Sequence, residues 1–313
     1  MKILLTGATG AIGKAVTASL VRHGHEVTGL VRNAAKGASL TAQGAQFAAG
    51  DVLDREQVAA IVGELRPDAI VHEATALASN VPLTRFDELF ALTNRLRTEG
   101  TDNLLAAARQ AAVPKMVIQS YCGWPFAKFG DPVAPETHPF DAALPWRQRD
   151  TSYALQYSEA AVMEAPLEGV ALRYGGFYGP GTSLCANGSM IRDLRRRRLP
   201  IIGKGTGWWS FIHVADAAAA TLAALQPGIS GIFNIVDDEP AQVCEWLPYL
   251  ARLAAAPAPL HVPRLVGTAL AGSTVVSMMT AARAGSNAKA RRELGWQPAH
   301  ASWRQGFAES LAA

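Results

Sequence analysis

The first thirty residues constrain this chain more than any other stretch. Lys2–Thr6 is a short apolar run that reads as a buried strand, and Gly7-Ala-Thr-Gly10-Ala-Ile-Gly13 follows at once. Residues 14–22 have helical spacing, with Val16, Leu20 and Val21 on one side, and Glu26–Val31 reads as a second strand. Strand, glycine turn, helix and strand within about thirty residues have the form of a dinucleotide-binding βαβ unit. Gly7 permits the tight turn out of the strand. Gly10 lets the backbone approach a pyrophosphate, which sits on the positive end of the following helix. Gly13 lets that helix pack closely on the sheet. A glycine-rich turn without a nucleotide is the alternative, and the flanking strand and helix count against it.

Strand-like runs recur at 45–49, Ala69–His72, 115–119 and 169–174. Helical stretches lie between them, including Arg55–Leu65 and a long one over 85–112 that Pro114 ends. The alternation predicts an α/β fold, a Rossmann-type doubly wound parallel sheet with helices on both faces. After Tyr174, loops rich in Gly and Pro (175–188, 200–207) alternate with short elements. A strand is expected around 208–214, then an alanine-rich helix over 215–225 and a strand over 232–236; beyond Pro240 the pattern is mostly helical, ending at 291–296. The expected division is a dinucleotide-binding domain over 1–174, to which 208–236 returns. A smaller interleaved substrate-binding part is built from 175–207 and 237–313.

Hydrophobic residues make up 49% and charged residues 18% of 313, so a globular chain is expected. A net charge of +3 is too small to argue for nucleic acid. The basic run from Arg192 to Arg198 reads as a solvated helix end. Cys122, Cys185 and Cys244 are odd in number and widely spaced, with neither metal-ligand spacing nor a disulfide framework. Free thiols, no metal and a reducing, cytoplasmic setting are the expectation. With the first strand read from Lys2, no signal peptide is expected. Residues 265–282 lack charges, but Gly267, Gly272, Ser273, Thr274 and Ser277 interrupt them, so a buried helix is expected rather than a membrane span.

Several motifs together resemble one family, the extended short-chain dehydrogenase/reductases, which include nucleotide-sugar epimerases and dehydratases. They are Thr6-Gly-Ala-Thr-Gly-Ala-Ile-Gly13, Asp51-Val-Leu-Asp54, Ser120, Leu172-Arg-Tyr174, Phe177-Tyr-Gly-Pro-Gly181, Phe211-Ile-His-Val-Ala-Asp216 and Asn287-Ala-Lys-Ala-Arg-Arg-Glu-Leu-Gly-Trp296. The resemblance implies a cofactor strip of Gly7, Thr9, Gly10, Ala11, Ile12, Gly13, Asp51, Val52, Ala74 and Tyr174. Asp51 and Val52 would flank the adenine and Tyr174 would lie near the nicotinamide. It also implies a homodimer through the 85–112 helix and the helix that carries Tyr153.

The cofactor phosphate is argued locally. NAD-binding units place an acid at the end of the second strand, where it accepts the ribose hydroxyls. Here that position reads Gly29-Leu-Val-Arg32. Without a carboxylate, and with the planar fork of Arg32, a 2′-phosphate is accommodated. NADP(H) is therefore favoured over NAD.

The family's catalytic set is a Ser or Thr after the fifth strand and Tyr-x-x-x-Lys on the next helix. Ser120 fits the first, Cys122 stands in the serine's alternative register, and Tyr153 fits the tyrosine in Thr151-Ser-Tyr153-Ala-Leu-Gln-Tyr157. Tyr157 stands where the lysine belongs. Without a cation beside it, Tyr153 could donate a proton but would be a poor base. The resemblance also leads one to expect an asparagine where Gly176 stands and an arginine where Trp209 stands, both of which grip sugar nucleotides. With Trp124, Phe126, Phe177, Tyr178 and Trp208 close by in motif order, Cys122, Trp124, Phe177 and Trp209 are candidates to contact a small, partly apolar substrate. Arg97 occupies the register of the family's Asn-x-x-Gly-Thr asparagine and reads by default as a surface charge, and His213 reads as structural. The expectation is an NADP(H)-dependent reductase of a small carbonyl compound, with Ser120 polarising the oxygen and Tyr153 as acid. The alternatives are a nucleotide-sugar epimerase or dehydratase, and an NADP-binding sensor without catalysis.

Overall fold

The computed structural model describes residues 1–77 and 83–312. β1 (Lys2–Thr6) leads through the glycine turn into α1 (Ala11–Arg22), then β2 (Glu26–Val31), α2 (Ala38–Thr41), β3 (Gln46–Ala49), α3 (Arg55–Leu65) and β4 (Ala69–His72). α4 (Phe86–Arg95) and α5 (Thr101–Gln110) form one rod through a wider π-helical turn at Leu96–Gly100. β5 (Lys115–Tyr121), β6 (Val133–Ala134), α6 (Trp146–Glu164), β7 (Glu168–Tyr174) and β8 (Gly176–Tyr178) follow. Next come α7 (Ser189–Arg195), β9 (Ile201–Ile202), β10 (Trp208–Trp209), β11 (Phe211–His213), α8 (Val214–Ala224) and β12 (Gly231–Ile235). The chain closes with β13 (Ala241–Gln242), α9 (Val243–Leu253), β14 (His261–Val262), α10 (Arg264–Ala281), β15 (Ala284–Gly285), α11 (Ala288–Glu293) and α12 (Trp303–Ala312).

Seven strands form one parallel sheet in the order β12-β7-β5-β4-β1-β2-β3. Because both faces are covered, its central strands are apolar throughout rather than alternating. Leu5, Val71, Val117, Leu172 and Phe233 pack on one face with residues of α1 and α8. Leu4, Ile70, Met116 and Ile118 pack on the other with residues of α3, α5 and α6. Chain order reverses between β1 and β4, and ligands bind in the crevice at the carboxyl ends beside such a switch. Local chemistry fixes the ends of the elements. Asp54 caps α3 by accepting from the amides of Glu56 and Gln57, both at 3.1 Å. Buried Lys115 ties the start of β5 to Glu168 on β7 (2.8 Å) and to the Ala224 carbonyl at the end of α8 (3.2 Å).

A second, more aromatic core holds Tyr178, Phe211, Trp246, Trp303 and Phe307. Four two-stranded pairs surround it and the sheet's edge. The strand expected over 208–214 is split by Ser210. Trp208–Trp209 pairs with β13 and Phe211–His213 with β8, and neither enters the seven-stranded sheet. The loops expected at 175–188 and 200–207 contain β8 and β9, and α12 was not anticipated. The charge-free helix α10 is not buried as expected. Leu265 is 87% and Leu270 74% exposed, and the helix kinks at Gly272, whose φ is 81°. Among the described residues no helix is long and apolar enough to cross a membrane.

If α10 is exposed in this way, Leu265→Gln and Leu270→Gln each change stability by less than about 0.5 kcal/mol. Leu247→Ala, in the buried core of α9, costs about 2–4 kcal/mol in the same denaturant titration. A comparable loss at Leu265 would contradict the exposed placement.

Candidate functional site

The glycine turn is built by exclusion. Gly7 has φ +73°, and a Cβ there would stand 2.5 Å from the Glu73 carbonyl oxygen. A Cβ on Gly13 would stand 2.1 Å from the Gly7 carbonyl oxygen, so α1 can cross this close only over glycine. A Cβ on Gly10 would meet nothing nearer than the Gly7 oxygen at 3.3 Å, which leaves its outward side open to a ligand. Gly10 caps α1 without a side chain, so the first amides of the helix, at Ala11, Ile12 and Gly13, keep free N–H groups. The loop after β8 arrives here too, with Gly181 placed against Ala11. A glycine cradle at a helix N-terminus fits the pyrophosphate of a dinucleotide.

The strip continues on both sides of β1. Past β2, Arg32 is exposed and in no ion pair among the described residues, while Asn33 caps the next short turn by accepting from Ala35 N (2.9 Å). Past β3, Asp51 accepts from Leu53 N (3.0 Å), and the carbonyl of buried Val52 accepts from Asn103 Nδ2 (3.1 Å). Past β4, Ala74 is half-buried and Thr75 exposed.

The far end of the crevice departs from expectation. Successive side chains of β5 point to opposite faces. Ser120 is buried and donates its hydroxyl to Glu159 of α6, whose carboxylate is gripped by Arg173 through Nε (2.7 Å) and Nη2 (2.6 Å). Its proton is committed to an interior ion pair, so the expected polarising role is corrected. Cys122 is also corrected as a substrate contact. Its sulfur fills the space beside Gly285, with Phe126, Ala134 and Val236, and burial pushes its thiol pKa up. Tyr121, between the two, is half-buried with its ring 6.1 Å from Trp124, and desolvation raises its phenol so that it stays neutral. The period-two alternation of β5 was the signal that could have found it.

Tyr153 is corrected as well. The inward stripe of α6 holds Thr151, Leu155, Ser158, Glu159 and Val162. Tyr153 is 62% exposed on the opposite side, its ring 5.9 Å from Tyr157, whose hydroxyl donates to Asp102. At the same four-residue spacing, the inward pair is Thr151, which accepts from Asn94 Nδ2 (3.1 Å), and Leu155, which packs in one cluster with Phe86 and Trp124. Ser120 and Tyr153 are therefore not brought together.

Two of the four expected substrate contacts do share a cluster. Trp124 packs edge-on against Phe86 (5.3 Å), and Trp209 joins the same apolar group, its indole N–H donating to the Met278 carbonyl (3.0 Å). Phe177 lies elsewhere, against Tyr174. Tyr174 is fully buried, its hydroxyl donating to Glu73 (3.1 Å) and hydrogen-bonded to Thr221 (2.8 Å), so only its backbone is left for a cofactor.

Burial also sets the charges below the crevice. Desolvation pushes the Glu73 carboxyl up to about 8 and His72 down to about 4. Arg97, read as a surface charge, is 6% exposed. His213, Asp216 and His300 approach metal-ligand spacing, but both Asp216 oxygens and one nitrogen of each histidine are engaged within the protein. Asp216 accepts from the amides of Ala299 and His300 and from His300 Nδ1, and His213 Nδ1 accepts from Ala215 N.

The sequence model of the NAD dependent epimerase/dehydratase family matches residues 3–235. The 3-diazoavenalumate denitrifying reductase of Streptomyces sp is 40% identical over 312 residues, covering 98% of this chain and 99% of its own. The 2-alkyl-3-oxoalkanoate reductase of Stenotrophomonas maltophilia is 27% identical, covering 82% and 77%. The crystal structure of the Thermus thermophilus UDP-glucose 4-epimerase in complex with NAD superposes with a TM-score of 0.76 at 24% identity, covering 100% of this chain and 98% of its own, and supports the fold.

Between the ordinary carboxyl value and about 8, the folded chain keeps the Glu73 proton that the unfolded chain releases. Stability therefore falls as pH rises across that window and levels off above it. Glu73→Gln, which mimics the protonated form, should remove part of this fall, narrowing the drop in melting temperature between acid and mildly alkaline buffer by about 2–4 °C. Asp237, raised to about 9 by burial, keeps its share in both proteins. Identical slopes for the two proteins in thermal scans would contradict a buried neutral Glu73.

Proposed function

Since the chain belongs to the NAD dependent epimerase/dehydratase family, among the extended short-chain dehydrogenase/reductases, we propose that it is an NADP(H)-dependent reductase of a small, flat, partly apolar compound. The observation that carries this reading is the inward stripe of α6. It offers Thr151 and Leu155 where an acid and its supporting cation would stand. Such a site suits a substrate that takes hydride without a proton from the protein. The whole-length likeness to a denitrifying reductase supports an aryl diazo acid as that substrate.

In this reading the amides of Ala11, Ile12 and Gly13 bind the pyrophosphate, Asp51 and Val52 flank the adenine, and Arg32 takes the 2′-phosphate. Bound there, the reduced dinucleotide supplies hydride. Trp124 and Trp209 give a flat ring an apolar wall and exclude water. An aryl diazonium carbon gains the C–H bond as its C–N bond breaks, and the C–N electron pair leaves with dinitrogen. No atom in that exchange is protonated, so a buried Ser120 and an outward Tyr153 are no handicap. The 3-oxoalkanoate reductase relative supports a second reading, reduction of a ketone. There the neutral phenol of Tyr121 would be the proton donor. Gly176 and Trp209, which lack the polar groups that would grip a sugar nucleotide, weigh against an epimerase.

With NADPH carrying deuterium at the transferable position and an aryl diazo acid as probe, dinitrogen should be released and deuterium should appear on the former diazo carbon. Arg32→Ala should weaken NADPH by about 10–100-fold, the scale of a lost charge-assisted hydrogen-bond pair, and leave NADH unchanged. Deuterium found only in an alcohol from a ketone probe, with loss of that activity in Tyr121→Phe, would replace the first reading by the second. Equal losses for NADPH and NADH would contradict the role of Arg32.

A further inference from the structure

Arg97 is the polar group at the crevice that the reading above leaves unused. It sits in the π-helical turn between α4 and α5, with Nε and Nη1 sealed from solvent and without a hydrogen-bond acceptor. Its nearest carboxylate by charge, Glu159, has both oxygens held by Arg173. Burial lowers the guanidinium only to about 10, so it stays charged at neutral pH. A buried charge without a partner is strongly unfavourable and is retained when a ligand completes it.

Two further orphaned atoms line the same narrow pocket, Thr101 Oγ1 and Gln119 Oε1. His72 also lines it but adds nothing, because its Nε2 donates to the Leu96 carbonyl (3.0 Å) and its Nδ1 accepts from Thr6 (2.6 Å). The pocket lining therefore holds unpartnered donors on Arg97 and an unpartnered acceptor on Gln119. A carboxylate or phosphate would satisfy only the first. Hydroxyl groups, which accept and donate at once, satisfy both.

Its place in the fold selects which hydroxyls. Ala74 and Thr75, just past β4, line it together with Ile118 and Gln119 of β5. The glycine cradle lies at β1 and Arg32 at the end of β2, and the sheet runs β5-β4-β1-β2. A dinucleotide with its pyrophosphate at the cradle and its adenosine ribose toward Arg32 lays its second ribose over β4 and β5. We propose that Arg97, with Gln119 and Thr101, binds the vicinal diol of the nicotinamide ribose. The proposal rests on the dinucleotide reading above.

The test compares two ligands by calorimetry on wild type, Arg97→Lys and Arg97→Leu. One is NADPH. The other is 2′-phosphoadenosine 5′-diphosphate, which stops before the second ribose. Arg97→Leu should weaken NADPH by about 10–100-fold and leave the fragment unchanged, with Arg97→Lys between. Without ligand, Arg97→Leu should melt at the same temperature as wild type or higher, since an uncompensated buried charge has gone. Unchanged NADPH affinity would overturn the proposal and leave the dinucleotide reading standing. Equal loss of both ligands with a lower melting temperature would also overturn it, marking Arg97 as structural. A wild type that binds neither ligand would bring down the dinucleotide reading itself.

Discussion

The contact of α1 with the turn that precedes it is the constraint on which the rest depends. The Gly13 backbone lies so near the Gly7 carbonyl that a single methyl group at residue 13 would sit 2.1 Å from it. That approach aims the first amides of α1 along the strand ends. β1 lies beside both β2 and β4, where the chain order reverses across the sheet. The crevice, its glycine floor and its free amides are one consequence of that packing.

Across this crevice the charges are arranged unevenly. Arg32 is exposed at one end and Arg97 is buried toward the other. The acids beneath do not cancel them. Glu73 is held protonated by burial, and Glu159 is consumed by Arg173 and Ser120. His72, kept neutral, adds no charge. The positive ends suit a ligand with phosphates at one side and a row of hydroxyls at the other. The apolar wall of Trp124, Phe86 and Trp209 lies beyond them, at the end of β5.

The fold was legible because its signals are local. Apolar runs, the glycine turn and the break at Pro114 gave the strands and helices of the sheet nearly to the residue, as with Arg55–Leu65. The catalytic assignment failed on phase rather than on spacing. Tyr153 and Tyr157 are four apart as a paired motif requires, but the apolar and buried stripe of α6 runs through Leu155 and Val162, which turns the tyrosines outward. Ser120 has the right strand position, but only the fold brings Glu159 of α6, held by Arg173, against it and shows where its proton goes. Arg97 looked like a surface charge because sequence cannot show that a helix widens by one residue there and carries a guanidinium inward. The exposed half of α10 is the reverse case, an apolar stretch for which hydropathy predicts burial that the packing does not supply.

The central claim is that hydride transfer in this site proceeds without a proton from the protein. The solvent isotope effect on single-turnover NADPH oxidation, with an aryl diazo acid bound, tests it most directly. A rate in heavy water equal to that in light water is the expected result, because no proton is in flight at the transition state. A rate about two-fold or more slower in heavy water would place a proton donor in that step and contradict the claim.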